Sequence, residues 1–272
     1  MTTPKIIVFD SGLGGLTVYR ELRLVLPEAR YLYVADNEAF PYGDLHKGEL
    51  VTRLLALFDR LIERENPDVC VIACNTASTI ALAPLRKAFE VPFIGTVPAV
   101  KTACEQSRSG LFSVLATPAT VAQDYTHELV ERYAASCEVT LVGAQNLASL
   151  AEQFMRGNEV DEDLLRREIA PAFVQQAERR TDFIALGCTH YPLLVELMRK
   201  VAPWPVSYID PAPAIARQTS FVLSKMSARR ETLAPAGPNR LIYTGADAIA
   251  ENISGFLHGL GLVDVYRDEI IG

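Results

Sequence analysis

The chain has 272 residues, 49% of them hydrophobic and 22% charged, with a formal net charge of -7. That composition suits one large α/β domain or two smaller ones and excludes a fibrous repeat or a mainly disordered chain. The acidic balance disfavours a nucleic-acid partner, which needs a basic surface to displace counterions, but leaves small carboxylates open as ligands.

Met1 to Asp10 passes straight into apolar Ile6 to Phe9 without a basic segment or a small-residue cleavage site. No apolar run approaches the roughly 18 residues of a bilayer span, so a cytoplasmic chain with no membrane partner is expected. Five cysteines, Cys70, Cys74, Cys104, Cys137 and Cys188, are too few for a disulfide scaffold. Their odd number leaves at least one thiol free in a monomer, and reduced thiols are the simpler expectation.

Short apolar runs alternate with longer segments of helical period, the pattern of parallel strands joined by crossover helices. In chain order the strands fall near Ile6–Phe9, Tyr31–Ala35, Val69–Ala73, Phe93–Ile94, Leu111–Ala116, Val139–Val142, Phe183–Leu186, Val206–Ile209 and Leu241–Tyr243. Glu49 to Glu65 is the clearest amphipathic helix, with Leu50, Leu54, Leu57, Phe58, Leu61 and Ile62 on one stripe. A second, more polar helix is expected from Asp161 to Arg179, and Ser227 to Asn239 reads as a surface loop.

An internal duplication is visible. A-C-N-T-A-S around Cys74 and G-C-T-H-Y-P around Cys188 each end an apolar run, and each cysteine follows an aspartate at the same spacing, Asp68 to Cys74 and Asp182 to Cys188. Ile7 to Ser11 resembles Val114 to Pro118 in the same way. Two Pro-containing stretches, Gly95 to Pro98 and Asp210 to Pro213, supply crossing points. The expected fold is therefore α/β, with two pseudo-symmetric domains, each a mostly parallel sheet flanked by helices. The first comprises residues 1–97 plus 210–272 and the second 98–209. Ligands of open parallel sheets collect beyond the carboxyl ends of the strands, so the site is expected in the cleft between the two domains.

A lone cysteine is ordinarily a small core residue. The matched pair argues for chemistry, since a thiol at the start of a helix meets backbone amides that lower its pKa and bind carboxylates. Cys74 is followed by Asn75 and Thr76, and Cys188 by Thr189 and His190, which is close enough to assist proton transfer. Cys70, Cys104 and Cys137 lack such neighbours and read as packing residues. Cys-Thr-His lacks the paired spacing of a metal site, so no metal is expected. Asp10 to Thr17 follows the first strand and superficially suggests a dinucleotide loop, with Asp36 ending the second strand. Thr17, however, stands where G-x-G-x-x-G needs its third glycine. Here the glycines read as a tight turn, with Asp10 and Ser11 facing a ligand. Phe40-Pro41-Tyr42-Gly43 is a rigid turn able to offer amides and a phenol. Thr117 and Thr120 offer hydroxyls near a helix start, where capping is the ordinary role, and Glu152 would normally be a solvated helix residue.

Taken together, V-F-D-S-G-L-G-G-L-T-V at Val8 to Val18, F-P-Y-G at Phe40 to Gly43, A-C-N-T-A-S at Ala73 to Ser78 and G-C-T-H-Y-P at Gly187 to Pro192 resemble glutamate racemase over essentially the whole chain. The resemblance implies a cofactor-independent enzyme interconverting L- and D-glutamate for peptidoglycan synthesis, commonly a homodimer. By the same likeness Cys74 and Cys188 are the acid/base residues, Asp10 supports Cys74, and Glu152 with His190 supports Cys188. Substrate contacts would fall on Asp10, Ser11, Pro41, Tyr42, Gly43, Cys74, Asn75, Thr76, Cys188, Thr189 and His190, with Thr117 and Thr120 lining the site. Aspartate racemase shares the two-cysteine plan. Thiol redox between Cys74 and Cys188, or carboxylate binding without catalysis, are the other classes the residues leave open.

Overall fold

The computed structural model describes residues 3–226, 238–246 and 253–268. Along the chain run β1 (Lys5–Asp10), α1 (Leu16–Val25), β2 (Arg30–Ala35), α2 (Lys47–Glu65), β3 (Val69–Ile72), α3 (Asn75–Ala88) and β4 (Phe93–Gly95). Next come α4 (Val100–Gln106), β5 (Leu111–Ala116), α5 (Pro118–Val121), α6 (Asp124–Tyr133), β6 (Glu138–Gly143), α7 (Leu147–Met155) and α8 (Glu162–Ile169). The short β7 (Gln175–Gln176) and β8 (Arg179–Arg180) precede β9 (Phe183–Gly187), α9 (Val195–Val201) and β10 (Ser207–Ile209). The chain continues through α10 (Ala212–Met226), β11 (Asn239–Tyr243), α11 (Ser254–Gly259) and β12 (Leu262–Arg267).

It divides into two compact units, Met1–Thr96 with Ala212–Gly272, and Val97–Pro211. The first unit holds a six-stranded sheet ordered β12-β11-β2-β1-β3-β4, every neighbouring pair parallel. The second holds a four-stranded sheet ordered β10-β9-β5-β6, again wholly parallel, and a two-stranded antiparallel β7-β8 hairpin.

The first core follows directly from the sequence periodicity. The predicted stripe of α2 places Leu50, Leu54, Leu57, Phe58 and Leu61 in one buried cluster with Ile7, Phe9, Cys70 and Ile72 of the sheet, while Ile62 sits half-buried at its edge. Phe58 lies between Phe9 and Phe93, with ring centroids 5.0 Å from each. Each fully buried Leu or Phe contributes about 1.5–3 kcal/mol relative to exposure. Asn66, with φ of 45°, stops α2 in a left-handed cap before Pro67. The second unit packs Val100 and Ala103 of α4 against Phe112, Val114 and Ala185 of its sheet.

The duplicated aspartates tie neighbouring strands together. Lys5 N at the start of β1 donates to Asp68 Oδ2 at 2.7 Å. In the second unit, Asp182 accepts from Ser107 Oγ, Arg108 N and Ser109 N at 2.8, 2.7 and 3.0 Å, just before β5. Burial works the other way, yet these bonds hold its carboxyl below the usual range. Each aspartate thus sits at the foot of the strand whose far end leads to a cysteine.

Two sequence expectations need correction, and a third falls largely outside the described residues. The single helix over Asp161 to Arg179 is instead α8, a 3-10 turn at Ala170–Ala172 and the β7-β8 hairpin. Pro171 is the physical reason, because it has no N–H and disfavours helical continuation. The helix expected directly after Cys188 is a 3-10 turn, Tyr191–Leu194, with Pro192 at its start, and α9 begins only at Val195. The loop expected from Ser227 to Asn239 lies outside the described residues through 237, and Asn239 itself opens β11.

Candidate active site

In the first unit, β1 and β3 run side by side with Phe9 opposite Ile72. Two residues further along that register Ser11 meets Cys74, and the Ser11 Oγ lies 3.8 Å from Cys74 Sγ. Cys74 leaves β3 in extended conformation, φ -138° and ψ 119°, and is the N-cap of the 14-residue α3. Asn75 and Thr76 open that helix, where backbone amides and the helix dipole favour an anion. The side-chain amide of Asn75 is buried, and neither its Nδ2 nor its Oδ1 has a hydrogen-bond partner. Unpaired buried amides cost free energy, so this one is suited to a polar ligand.

Asp10 holds the glycine turn in place. Its carboxylate accepts from Ser11 N at 2.8 Å and Gly15 N at 2.5 Å, and Ser11 Oγ lies 3.5 Å away at the limit of a hydrogen bond. A Cβ on Gly15 would sit 2.9 Å from both Asp10 Cβ and the Tyr33 hydroxyl, so only glycine fits. Cys74 is therefore linked to a buried carboxylate through one intervening hydroxyl.

The Phe40–Gly43 turn packs close by. Phe40–Pro41 is cis. Tyr42 is buried in the same apolar cluster as Cys74, and Pro41 and Gly43 are half-buried beside it. The Tyr42 hydroxyl donates to Asp36 Oδ2 at 2.5 Å. Burial, reinforced by the Asp36 charge, holds this phenol well above its usual pKa, so it stays a neutral donor. Its phenol is thus committed within the protein, and the turn's backbone remains to meet a ligand.

Asp36 organises more than the tyrosine. Arg53 Nε and Nη2 each donate to its carboxylate at 2.6 Å, and Thr244 Oγ1 donates at 2.7 Å. This engagement leaves it unsuited to a ribose, and the dinucleotide alternative loses its acidic anchor. Sequence reasoning missed Arg53 and Thr244. Arg53 stands among the α2 leucines and carries no motif, while Thr244 lies 208 residues from Asp36.

The second unit repeats the plan with different chemistry. Ala116 on β5 lies opposite Gly187 on β9, the last paired position before Thr117 and Cys188. A Cβ on Gly187 would come within 2.7 Å of Ala116 Cβ, which is why a glycine precedes the cysteine. Cys188 Sγ lies 3.7 Å from His190 Nδ1, and His190 Nε2 lies 2.8 Å from Glu152 Oε1. His190 is 2% exposed and Glu152 8%, so Glu152 is a buried partner on α7 rather than a solvated residue. Burial alone would lower the His190 pKa, but Cys188 and Glu152 together raise it well above 6.5. The His190 ring is thus held between the Cys188 sulfur and the Glu152 carboxyl group.

Thr117 caps α5, its Oγ1 accepting from Thr120 N at 3.2 Å and lying 2.9 Å from Thr120 Oγ1. The ordinary capping role is realised, and Thr117 directly follows β5. Thr189 is buried directly after that cysteine. In each unit the predicted residues gather at the carboxyl end of the parallel strands. Among the described residues no three His, Cys, Asp or Glu side chains form a metal-ligating group. A groove of about 810 Å³ along α2, lined by His46, Glu49, Thr52, Arg53 and Arg60, includes neither Cys74 nor Cys188.

Comparison with known proteins assigns the molecule a class. Residues 18–219 match the Asp/Glu/Hydantoin racemase family model. Glutamate racemase of Mesorhizobium japonicum is 49% identical over 260 residues, which cover 94% of this chain and 98% of that protein. Glutamate racemase of Brucella anthropi is 52% identical over 227 residues, 83% of this chain and 82% of that protein. The crystal structure of Escherichia coli glutamate racemase, in complex with L-glutamate and the activator UDP-MurNAc-ala, aligns with a TM-score of 0.88 at 37% identity. That alignment covers 97% of this chain and 98% of the Escherichia coli one. These likenesses set the molecule among the isomerases. The chain belongs to the aspartate/glutamate/hydantoin racemase family.

Proposed function

We propose that this chain is a cofactor-independent glutamate racemase in which Cys74 and Cys188 exchange the α-proton on opposite faces of the substrate. The supporting observation is the duplicated arrangement of a buried thiol, one mediating group and a buried carboxylate: Cys74–Ser11–Asp10 and Cys188–His190–Glu152. Inversion at carbon requires removing a proton from one face and returning one to the other. One sulfur serves as thiolate base while the other donates as thiol, and the roles exchange for the opposite enantiomer.

Stabilising the carbanion-like transition state falls to fixed dipoles, since an ordinary thiolate is a weak base toward an amino-acid α-proton. The start of α3 supplies amides for a substrate carboxylate, and the unpartnered Asn75 amide supplies a further polar contact. Ser11, Pro41, Tyr42, Gly43, Thr76, Thr117, Thr120 and Thr189 complete the binding surface. Asp10, kept close by the glycine turn, acts through Ser11 as a proton relay partner. The product D-glutamate supplies peptidoglycan synthesis, and the enzyme works in the cytoplasm as a homodimer. Glutamate as substrate is supported by the names of the similar proteins and by the L-glutamate bound in the Escherichia coli structure.

The decisive experiment is α-proton exchange in D₂O, followed for each glutamate enantiomer with the native enzyme and with Cys74→Ser and Cys188→Ser. Each variant is expected to lose racemisation by about 10²–10⁴-fold or more, while retaining exchange or elimination with one enantiomer only. Normal turnover by either variant overturns the two-base reading. Circular-dichroism decay of L-glutamate and L-aspartate in separate assays sets the substrate, and activity on aspartate alone rejects glutamate.

A further inference from the structure

Cys104 and Cys137 take no part in either thiol arrangement described above, with Cys104 on α4 and Cys137 in the turn between α6 and β6. Their Sγ atoms are 3.0 Å apart although 33 residues separate them in the chain. A disulfide needs an S–S separation of about 2.05 Å, so a small torsional adjustment of the two side chains brings them to bonding distance. Both are half-exposed and free, whereas Cys70, Cys74 and Cys188 are 0%, 6% and 7% exposed.

The surroundings give the two sulfurs different parts. Cys104 Sγ also lies 3.3 Å from the hydroxyl of exposed Ser136, a polar neighbour open to solvent. Cys137 Sγ donates to the Cys104 carbonyl at 3.7 Å, and burial together with the adjacent Cys104 sulfur pushes its thiol up to about 11. Cys137 therefore keeps its proton at neutral pH. Packing by itself does not demand that two thiols meet at their tips on the solvent side of a core, since the same volume is filled by Ala or Val on either element.

We infer that Cys104 and Cys137 form a reversible redox dithiol, a site that is oxidised by low-molecular-weight disulfides and closes to an intramolecular disulfide. Cys104, as thiolate, attacks one sulfur of the small disulfide, whose S–S bond breaks to release the first small thiolate. Cys137 then loses its proton and attacks the Cys104 sulfur of the mixed disulfide, releasing the second. Two protein thiols are oxidised by two electrons, and one small disulfide is reduced to two thiols. The new bond ties α4 to the turn that feeds β6, bracing the second unit without using Cys74 or Cys188.

The test is treatment of the full-length reduced protein with oxidised glutathione, followed by intact mass, peptide mapping and thermal unfolding. The expected product has lost about 2 Da as two hydrogens, links the Cys104 and Cys137 peptides within one chain, and reverts with dithiothreitol. It unfolds a few degrees higher than the reduced form. Cys74 and Cys188 remain alkylatable after denaturation. Cys137→Ser, which removes the resolving thiol, is expected to stop at one glutathionyl group on Cys104. The inference is overturned if the native protein keeps both thiols free, if it retains a glutathionyl adduct without a cross-link, or if the cross-link joins two chains. The peptide map of the native protein decides the matter whether or not the variant folds.

Discussion

His190 carries the sharpest consequence at the scale of single residues. Its pKa is raised above the ordinary 6.5 because Cys188 and Glu152 outweigh its burial. The protonated form therefore contributes stability that is fully present below the ordinary value and is lost as pH rises through the folded value. Glu152→Gln removes one of the two groups that raise it, so His190 deprotonates at lower pH in that variant. The alkaline limb of the kcat/KM profile is expected to move to lower pH, and an NMR titration of the imidazole to move with it. An unchanged imidazole titration would reject Glu152 as the partner that sets this proton. Gly15→Ala tests the glycine turn, where a methyl group would press on Asp10 and Tyr33. It is expected to cost about 1–3 kcal/mol in urea unfolding and to reduce turnover along with stability. The thiols, the glycine turn and His190 were legible in the sequence because their types are unusual at strand ends. Glu152 was weaker, since a glutamate on a helix ordinarily faces water and only its contact with His190 shows otherwise.

Elements were legible where a local period or a stop residue determined them. The α2 stripe, its Asn66–Pro67 ending and the buried strands belong to this group, because their causes lie within a few residues. Pro171 was in plain view, yet the polar run around it still suggested one helix where α8 ends and a hairpin follows. Strand β12 is two-faced, with Val263 exposed and Leu262 buried at a sheet edge, so its pattern is too weak to mark it. Pairings across long separations were not legible, and the Asp36 network is the clearest case. It joins β2's end, the Tyr42 turn, α2 and the residue after β11 through one carboxylate. Asp36→Asn is expected to destabilise the protein by about 3 kcal/mol, since Arg53 is left without its main charge partner. If the Tyr42 turn positions substrate, the same variant raises KM more than it lowers kcat. A stable variant with unchanged KM would separate the turn from binding.

For the whole molecule, duplication is the main theme. Each unit ties its strands together through an aspartate at the foot of the strand that leads to its cysteine, Asp68 and Asp182. Each then surrounds the thiol differently, with a hydroxyl in one unit and a histidine ring in the other. A ligand that binds only the folded enzyme stabilises it in proportion to its occupancy, by about 2.7 kcal/mol at a hundredfold excess over Kd. L-Glutamate is therefore expected to raise the unfolding midpoint in a concentration-dependent way, and L-lysine at equal ionic strength is not. Equal shifts from both would argue against specific recognition of the substrate side chain.

The strand order also has a consequence for synthesis on the ribosome. All strands of the four-stranded sheet emerge within one uninterrupted stretch, Val97–Pro211, whereas β2 in the larger sheet must wait for β11, which is translated after that entire stretch. Until then the backbone amides and carbonyls along one border of β2 have no mate, and Asp36 lacks Thr244. The nascent polypeptide thus completes its inserted unit first and carries an unfinished, adhesive border on β2 until β11 has emerged.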